Sequence, residues 1–190
     1  GDLPPIAGRP ELLVSGEAEY ITLPGSSYAS ACRGVTVASD DYSHPRFWQP
    51  SICTGCSATR HTPGVVAKYA ATQPGDVVPG HNLLKLHPDG LCSTLRAGTD
   101  SSHGSHTAPR PVHPWEPRCI TVREAARLHG FPDWFRFLAT KWHSYRQIGN
   151  AVCPPMARAI GSSIIAAMGL APRRPKIRLM MNDGFNVPAD

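Results

Sequence analysis

The segment from Leu91 to His106 holds the densest group of side chains suited to binding nucleic acid. It combines small hydroxyl residues and glycines with one arginine and two histidines. Hydroxyls, arginines and backbone amides exposed by glycine are donors that proteins use on phosphates and base edges. The candidate contacts are Thr94, Arg96, Ser102, His103 and His106. The alternative is a Ser/Gly-rich surface loop that binds nothing.

Cysteines offer a second kind of chemistry, and the chain has six of them: Cys32, Cys53, Cys56, Cys92, Cys119 and Cys153. Their irregular spacing in a chain of 190 residues predicts reduced thiols rather than a disulfide framework. Cys53 and Cys56 form a CxxC pair with His44 and His61 nearby, so a zinc-dependent interaction domain is an alternative. Because the sequence lacks a second CxxC and an HxxxH pair, we predict no bound metal.

Two helices and a turn are predicted to position the C-terminal residues. Thr121 can cap a helix, Glu124 can complete a capping box, and Gly130 followed by Pro132 ends that helix. The stretch from Gln147 to Val152 predicts a tight polar turn. Pro154 and Pro155 then fit the first turn of a helix that runs to about Met168. The face of that helix predicted to pack against core or another subunit carries Met156, Ile160, Ser163, Ile164 and Ala167.

The rest of the chain has the composition of a globular protein rich in loops. It has 20 Pro and 17 Gly, and prolines interrupt residues 7–117, leaving a short helix over Gly64 to Thr72 and a strand within Asn82 to Leu86. No apolar run is long enough for a membrane span and no secretory start precedes Gly1, which predicts a soluble intracellular protein.

Charge is unevenly distributed. Residues 1–117 carry eight Lys and Arg against ten Asp and Glu, whereas residues 118–190 carry eleven against four. The basic half suits contact with phosphate or with an acidic partner surface.

Two long motifs resemble those of one enzyme family. TVREAARLHGFPD, which begins at Thr121, resembles the ninth conserved motif of the DNA (cytosine-5) methyltransferases, and YRQIGNAVCPPMARAI, which begins at Tyr145, resembles the tenth. They occur in the family's order and at roughly its spacing. GDLPPI at Gly1 resembles a stretch that follows the family's eighth motif. Thr94 and Leu95 resemble a Thr-Leu dipeptide of the family's recognition domains.

The resemblance implies a role for each part of the chain. Residues 1–117 would form the target recognition domain that contacts double-stranded DNA, with Thr94, Leu95, Arg96, Ser102, His103 and His106 as the contacts. In the family the ninth motif packs against that domain, so Arg123, Glu124 and Arg127 are expected to be structural links. The tenth motif closes part of the S-adenosyl-L-methionine site, which assigns cofactor binding to Asn150, Ala151 and Val152. Ala151 stands where the family often has Ser, so backbone contact is expected there.

The resemblance also implies that the catalytic residues lie elsewhere. The family adds a cysteine thiolate to C6 of a flipped-out cytosine before C5 is methylated. Its Pro-Cys-Gln, Glu-Asn-Val, Arg-x-Arg and Phe-x-Gly sequences do not occur here. We therefore predict no catalytic residue in this chain, no activity from the chain alone, and a partner that carries the N-terminal catalytic portion, as a separate subunit or as the rest of the same polypeptide.

The predicted fold is α/β in the complete enzyme and α+β as an isolated piece. A small irregular β-rich recognition domain over 1–117 is followed by helices over 118–170 that complete a Rossmann-like methyltransferase domain, and by a basic, polar tail over 171–190. The predicted function is target recognition within a restriction-modification methyltransferase of a prokaryotic cytoplasm, associated with the nucleoid. The alternative is a DNA-binding module without catalytic function.

Overall fold

The computed structural model describes residues 2–6, 9–13, 27–33, 46–47, 52–98, 110–137, 140–173 and 179–180. Helices in this part of the chain are α1 (Ser27–Cys32), α2 (Pro63–Ala71), α3 (Val122–Leu128), α4 (Lys141–Asn150) and α5 (Pro154–Ala167). Strands are β1 (Asp2–Ile6), β2 (Arg9–Leu13), β3 (Arg46–Phe47), β4 (Ile52–Thr54) and β5 (Leu179–Met180). The described structure is therefore mixed, with more helix than strand.

The chain divides into two compact units. The first comprises residues 1–54, 130–136 and 152–190, and the second comprises 55–129 and 137–151. Segments on both sides of residue 117 thus belong to the second unit. The domain boundaries placed after residues 117 and 170 from the sequence stay predictions. No helix among the described residues is long and apolar enough to cross a bilayer.

The first unit contains a small antiparallel sheet in the order β1-β2-β4. Leu12 in β2 pairs with Asp2 on one side and with Cys53 on the other. The sequence GDLPPI alone suggests a proline-stiffened turn, but its residues from Asp2 on form β1, so that interpretation is wrong. The register shifts between Leu3 and Ile6, at the two prolines that have no N–H to donate to the ladder. A parallel pair, β3 with β5, is separate.

The first unit also contains the turn that ends the predicted ninth motif. Gly130 has a φ of +86°, and a β-carbon there would lie 2.5 Å from Cδ of Pro155, so only glycine fits. The Asp133 amide donates to the carbonyl of Cys32 at the end of α1, at 2.7 Å. Phe131 and Asp133 are buried. The turn is therefore fixed against both α1 and the first residues of α5.

The second unit packs around a core of Tyr69, Val78, Val112 and Cys119. Helix α2 confirms the short helix predicted over Gly64 to Thr72, with Pro63 in its first turn. The strand predicted within Asn82 to Leu86 is reduced to isolated bridges, Leu84 with Val77 and Lys85 with Val112. Residues 84 and 85 thus pair with a chain segment on each side. Val78 and Val112, from these two neighbouring segments, pack with Tyr69 of α2 in the core.

A buried lysine closes the C-terminal end of α2. Lys85 is 5% exposed, and its Nζ donates to the carbonyls of Tyr69 and Thr72 at 3.0 and 2.9 Å. The last carbonyls of a helix have no partner within the helix, and a cation there is also favoured by the helix dipole. Lys85 therefore has a structural role that the sequence pattern did not reveal.

Helix α3 lies in the ninth motif, and the tenth motif spans the end of α4 and the start of α5. In α3 the predicted capping box is present, since Thr121 accepts from the Glu124 amide and the Glu124 carboxylate accepts from the Thr121 amide. The start of α5 at Pro154 is also confirmed. The polar turn predicted from Gln147 to Val152 is wrong in its first four residues, because α4 continues to Asn150. Helix α4 packs against the interior of the second unit through its buried residues Ser144, Tyr145 and Ile148.

Candidate functional site

The C-terminal end of α4 lies against Arg96 and Ala97 of the segment from Leu91 to His106, which we call the hydroxyl-rich segment. A β-carbon on Gly149 would lie 2.4 Å from the amide nitrogen of Ala97 and 2.6 Å from the carbonyl carbon of Arg96. A β-carbon is not found this close to backbone atoms in proteins, so only glycine at position 149 allows this contact. The contact unites the tenth-motif helix with the segment from which DNA contacts are predicted.

Three of the predicted DNA contacts lie in the described part of the chain. Thr94 and Arg96 are exposed, and Leu95 is half-buried. The other three, Ser102, His103 and His106, lie outside the described residues. The backbone of Arg96 is held by Gly149 while its side chain faces solvent, which leaves the guanidinium accessible to a ligand.

The predicted cofactor residues Asn150 and Ala151 end a helix instead of beginning one. Asn150 is the last residue of α4 and Ala151 is its C-cap. The Ala151 amide donates to the carbonyl of Ile148 at 3.2 Å, and the Ala151 carbonyl lies 2.9 Å from Nε2 of His129. The Ala151 amide is therefore engaged at the end of α4, and its contact with the cofactor stays a prediction. The exposed side chain of Asn150 is the polar group that remains accessible.

Val152 and the start of α5 lie in the first unit. The Val152 side chain is 62% exposed. Pro154 and Pro155 occupy the first turn of α5, and the N-cap Cys153 makes no side-chain capping bond. Because proline has no N–H, this helix start offers fewer donors than an ordinary one. An apolar contact through Val152 is consistent with these features, and a cluster of backbone donors is not.

The three predicted structural links differ in how they are held. Arg123 is 2% exposed, with its guanidinium carbon 5.9 Å from the Phe137 ring centre and its amide donating to the Gly55 carbonyl. Glu124 is engaged in the capping box, and Arg127 is half-buried in the last turn of α3. All three belong to the second unit, and their burial and contacts there suit residues that position neighbouring segments.

Arg118 is the partner of Glu124 that sequence reasoning missed. Its Nη1 and Nη2 donate to the two carboxylate oxygens of Glu124, both at 2.8 Å, and its Nε donates to Glu116 at 2.6 Å. Burial raises the pKa of the Glu124 carboxyl, but hydrogen bonds from Arg118 and from the Thr121 amide outweigh it and lower the pKa. Glu124 is therefore a charged structural anchor and not a proton donor.

The pKa values of the half-buried His61 and the buried Tyr145 also favour structural roles. Burial, and then the charge of Lys141, lower the pKa of His61, whose Nε2 accepts a hydrogen bond from the Cys119 amide at 3.3 Å. Burial raises the pKa of the Tyr145 phenol, whose hydroxyl donates to the carbonyl of Ile120. The imidazole is thus held neutral and the phenol protonated.

Two of the six cysteines have thiol pKa values shifted away from activation. All six are free. Burial raises the pKa values of Cys92 and Cys119, the opposite of the shift that activates a nucleophile. Within the described ranges, no group of three or more His, Cys, Asp and Glu side chains could hold a metal ion. The absence of a bound metal stays a prediction.

Comparison with known proteins identifies the class to which these motifs belong. The family model described as C-5 cytosine-specific DNA methylase matches residues 50–166. The chain belongs to this family.

Particular relatives are both bacterial and eukaryotic. The chain is 45% identical, over 96% of its length, to the type II methyltransferase M.XorII of Xanthomonas oryzae pv. oryzae, and it spans 43% of that protein. It is 32% identical, over 90% of its length, to DNA (cytosine-5)-methyltransferase 4 of Arabidopsis thaliana, and it spans 12% of that protein. The chain thus spans less than half the length of these relatives.

A solved structure shows the same fold. It is described as a DNA modification methyltransferase encoded within a prophage of E. coli, and it superimposes with a TM-score of 0.62 at 29% sequence identity. The match covers 88% of this chain and 45% of that one.

Proposed function

We propose that this chain is the C-terminal, target-recognition part of a DNA (cytosine-5) methyltransferase of the restriction-modification type. Its role is to bind a specific duplex sequence and to contribute to the S-adenosyl-L-methionine site. The observation that carries the proposal is the contact of Gly149, in the tenth motif, with the backbone of Arg96 and Ala97. Family membership and the share of M.XorII that the chain spans support it.

DNA recognition is assigned to the segment that Gly149 holds. The exposed Thr94 hydroxyl and Arg96 guanidinium are suited to phosphates and base edges, and a rigid backbone beneath them limits the freedom that binding must remove. Leu95 is half-buried and anchors the segment between them. Ser102, His103 and His106 follow along the chain and complete the assigned set.

The contribution to the cofactor site is assigned to Asn150, Ala151 and Val152. The Asn150 carboxamide can both donate and accept hydrogen bonds, and the exposed Val152 can cover an apolar surface. His129 bonds the Ala151 carbonyl and thereby fixes the direction in which the chain leaves α4. When bound, S-adenosyl-L-methionine supplies the methyl group for C5 of cytosine.

The catalytic portion is assigned to a partner that covers one face of α5. Met156, Ile160 and Ile164 are 58%, 48% and 53% exposed. They lie three to four residues apart, so they form one apolar stripe on the helix. An apolar stripe of this kind marks a surface that another protein segment buries. The thiol that adds to C6 would then come from this partner, since the sequence here has no Pro-Cys-Gln.

Complementation of methyl transfer tests the proposal. The chain is mixed with the part of M.XorII that this chain does not span, and transfer of labelled methyl groups from S-adenosyl-L-methionine to mixed-sequence DNA is measured. We expect activity in the mixture and none from either part alone. Sequencing of the methylated cytosines would then show the recognised site.

Three other outcomes contradict the proposal in different ways. Activity from this chain alone places the nucleophile within it. No activity in the mixture, with DNA binding and complex formation both retained, identifies a binding module without catalytic function. Loss of DNA binding as well removes the recognition role. A mixture made with Gly149→Ala is expected to lose activity, because the substitution alters the assigned contact without changing charge.

A further inference from the structure

A cluster of three cations lies at the N-terminal end of α4, the helix whose Gly149 contacts Arg96 and Ala97. It consists of Arg60, Arg110 and Lys141, all in the second unit. The Lys141 Nζ donates to the carbonyl of Ala58 at 2.6 Å, which places the ammonium beside the loop that carries Arg60. Neither the ninth nor the tenth motif includes these residues.

Arg110 lies near Lys141 because it stacks on Tyr145 of α4. Its guanidinium carbon lies 4.0 Å from the centre of the Tyr145 ring. Lys141 and Tyr145 are four residues apart in α4 and so lie on one face of the helix. Tyr145 is itself fixed by its hydroxyl bond to Ile120. Arg110 and Lys141 are therefore held side by side on a rigid support.

No counter-charge for the cluster lies among the residues that the structure describes. Among the described residues, no carboxylate forms an ion pair with Arg60, Arg110 or Lys141, and the first turn of α4 has no acidic residue. Glu124, in the same unit, is occupied by Arg118. Burial first, and then the charges of Arg110 and Arg60, lower the pKa of Lys141. Cations held together without an acid cost free energy that a bound anion offsets.

We propose that Arg60, Arg110 and Lys141 form a phosphate-binding site for the DNA backbone. The inference rests on the proposed function. Arginine binds phosphate in a bidentate manner, and stacking on Tyr145 presents the guanidinium of Arg110 in a fixed plane. Lys141 and Gly149 are separated by eight residues of helix, or about 12 Å along its axis. One duplex can therefore contact the cluster and the Thr94–Arg96 segment together, with the cluster fixing register and the segment reading sequence.

The test compares binding of the 190-residue chain to several short duplexes of different sequence, by fluorescence anisotropy over a range of salt concentrations. For Arg60→Gln and Lys141→Gln we expect weaker binding to all duplexes by the same factor. We also expect the slope of log K against log salt to decrease by about 0.9 for each phosphate that the variant no longer neutralises. Lys68→Gln, at an exposed lysine of α2 in the same unit, removes the same charge and is the matched control.

Each result has a definite meaning. An unchanged salt slope in both variants, with wild-type binding intact, overturns the phosphate site but leaves the proposed function standing. No DNA binding by the wild-type chain overturns both. An equal decrease in Lys68→Gln shows a net-charge effect and overturns the site. Weaker binding to poly-glutamate with unchanged binding to DNA would assign the cluster to an acidic protein partner instead. Arg60 is exposed, so Arg60→Gln keeps the test valid even if Lys141→Gln fails to fold.

Discussion

Gly149 lies so close to Ala97 that α4 packs directly against the backbone of Arg96 and Ala97. A β-carbon at position 149 would stand 2.4 Å from the Ala97 amide nitrogen. The neighbouring atoms are backbone, which cannot move aside as the end of a flexible side chain can. The glycine of the QIGN sequence therefore has a steric role within this chain, whatever its relation to a cofactor.

The first prediction is that Gly149→Ala destabilises the second unit. Overpacking against backbone costs about 1–3 kcal/mol, more than the gain in helix propensity offsets. At Gly161, in α5, a β-carbon would have no atom within 4 Å, so Gly161→Ala is expected to stabilise its helix by up to about 1 kcal/mol. Urea unfolding of both variants measures the difference. Equal effects in the two variants would show that the Gly149 contact is not tight.

Sequence patterns predicted the elements whose signals are local. The capping box at Thr121 and the proline start of α5 depend on residues within one turn, and both are present. The turn predicted at Gln147 failed because Gly149 disfavours a helix locally, by about 1 kcal/mol, while the buried Tyr145 and Ile148 favour it. Tertiary packing therefore determines that these residues are helical, and a local sequence pattern does not reveal such packing.

In the candidate site, too, the local signals could be recognised in the sequence and the long-range contacts could not. Thr94 and Arg96 could be singled out because their residue types suit DNA. The partners that position them could not, since Gly149 and Arg96 are more than fifty residues apart in sequence. Lys85 was missed for the same reason, because its partners Tyr69 and Thr72 lie 16 and 13 residues away in sequence. Long-range pairs require the fold.

The second prediction concerns Glu124 and pH. Its folded pKa lies below the ordinary value of 4.5, so its ionised form stabilises the fold above pH 4.5, and this stabilisation is lost as the pH falls through the folded pKa. Glu124→Gln keeps the capping geometry but removes the charge, at a cost of about 1–3 kcal/mol at neutral pH. We expect the difference from wild type to shrink below pH 4.5 in urea titrations.

Glu116→Gln is the control for that prediction. Its side chain is 57% exposed, and solvent screening reduces the value of its contact with Arg118 to under about 1 kcal/mol. A Glu124→Gln effect that stayed constant from neutral pH to below pH 4.5 would mean that the carboxylate charge does not contribute.

The third prediction is that Arg96→Ala reduces discrimination between DNA sequences. If Arg96 contacts a base edge, its removal costs about 1–3 kcal/mol on the recognised sequence and little on others. Competition between the methylated site and unrelated duplexes measures the ratio. Arg173→Ala, at an exposed residue of the basic tail, removes the same charge from another place. Uniform weakening on all duplexes would assign Arg96 to the backbone instead of a base.

The last prediction concerns the apolar face of α5. Ile160 and Ile164 line a shallow groove with Ala159, Ser163 and Ala167, and α5 buries none of its residues among those described. If the catalytic portion covers this face, Ile160→Glu with Ile164→Glu will abolish assembly with it, while the chain alone becomes less prone to self-association on a sizing column. Ser162→Glu lies two residues from each isoleucine, about 200° round the helix, and should leave assembly intact. Assembly that survives the double substitution would mean that the partner binds another surface, because two buried carboxylates at its interface could not be tolerated.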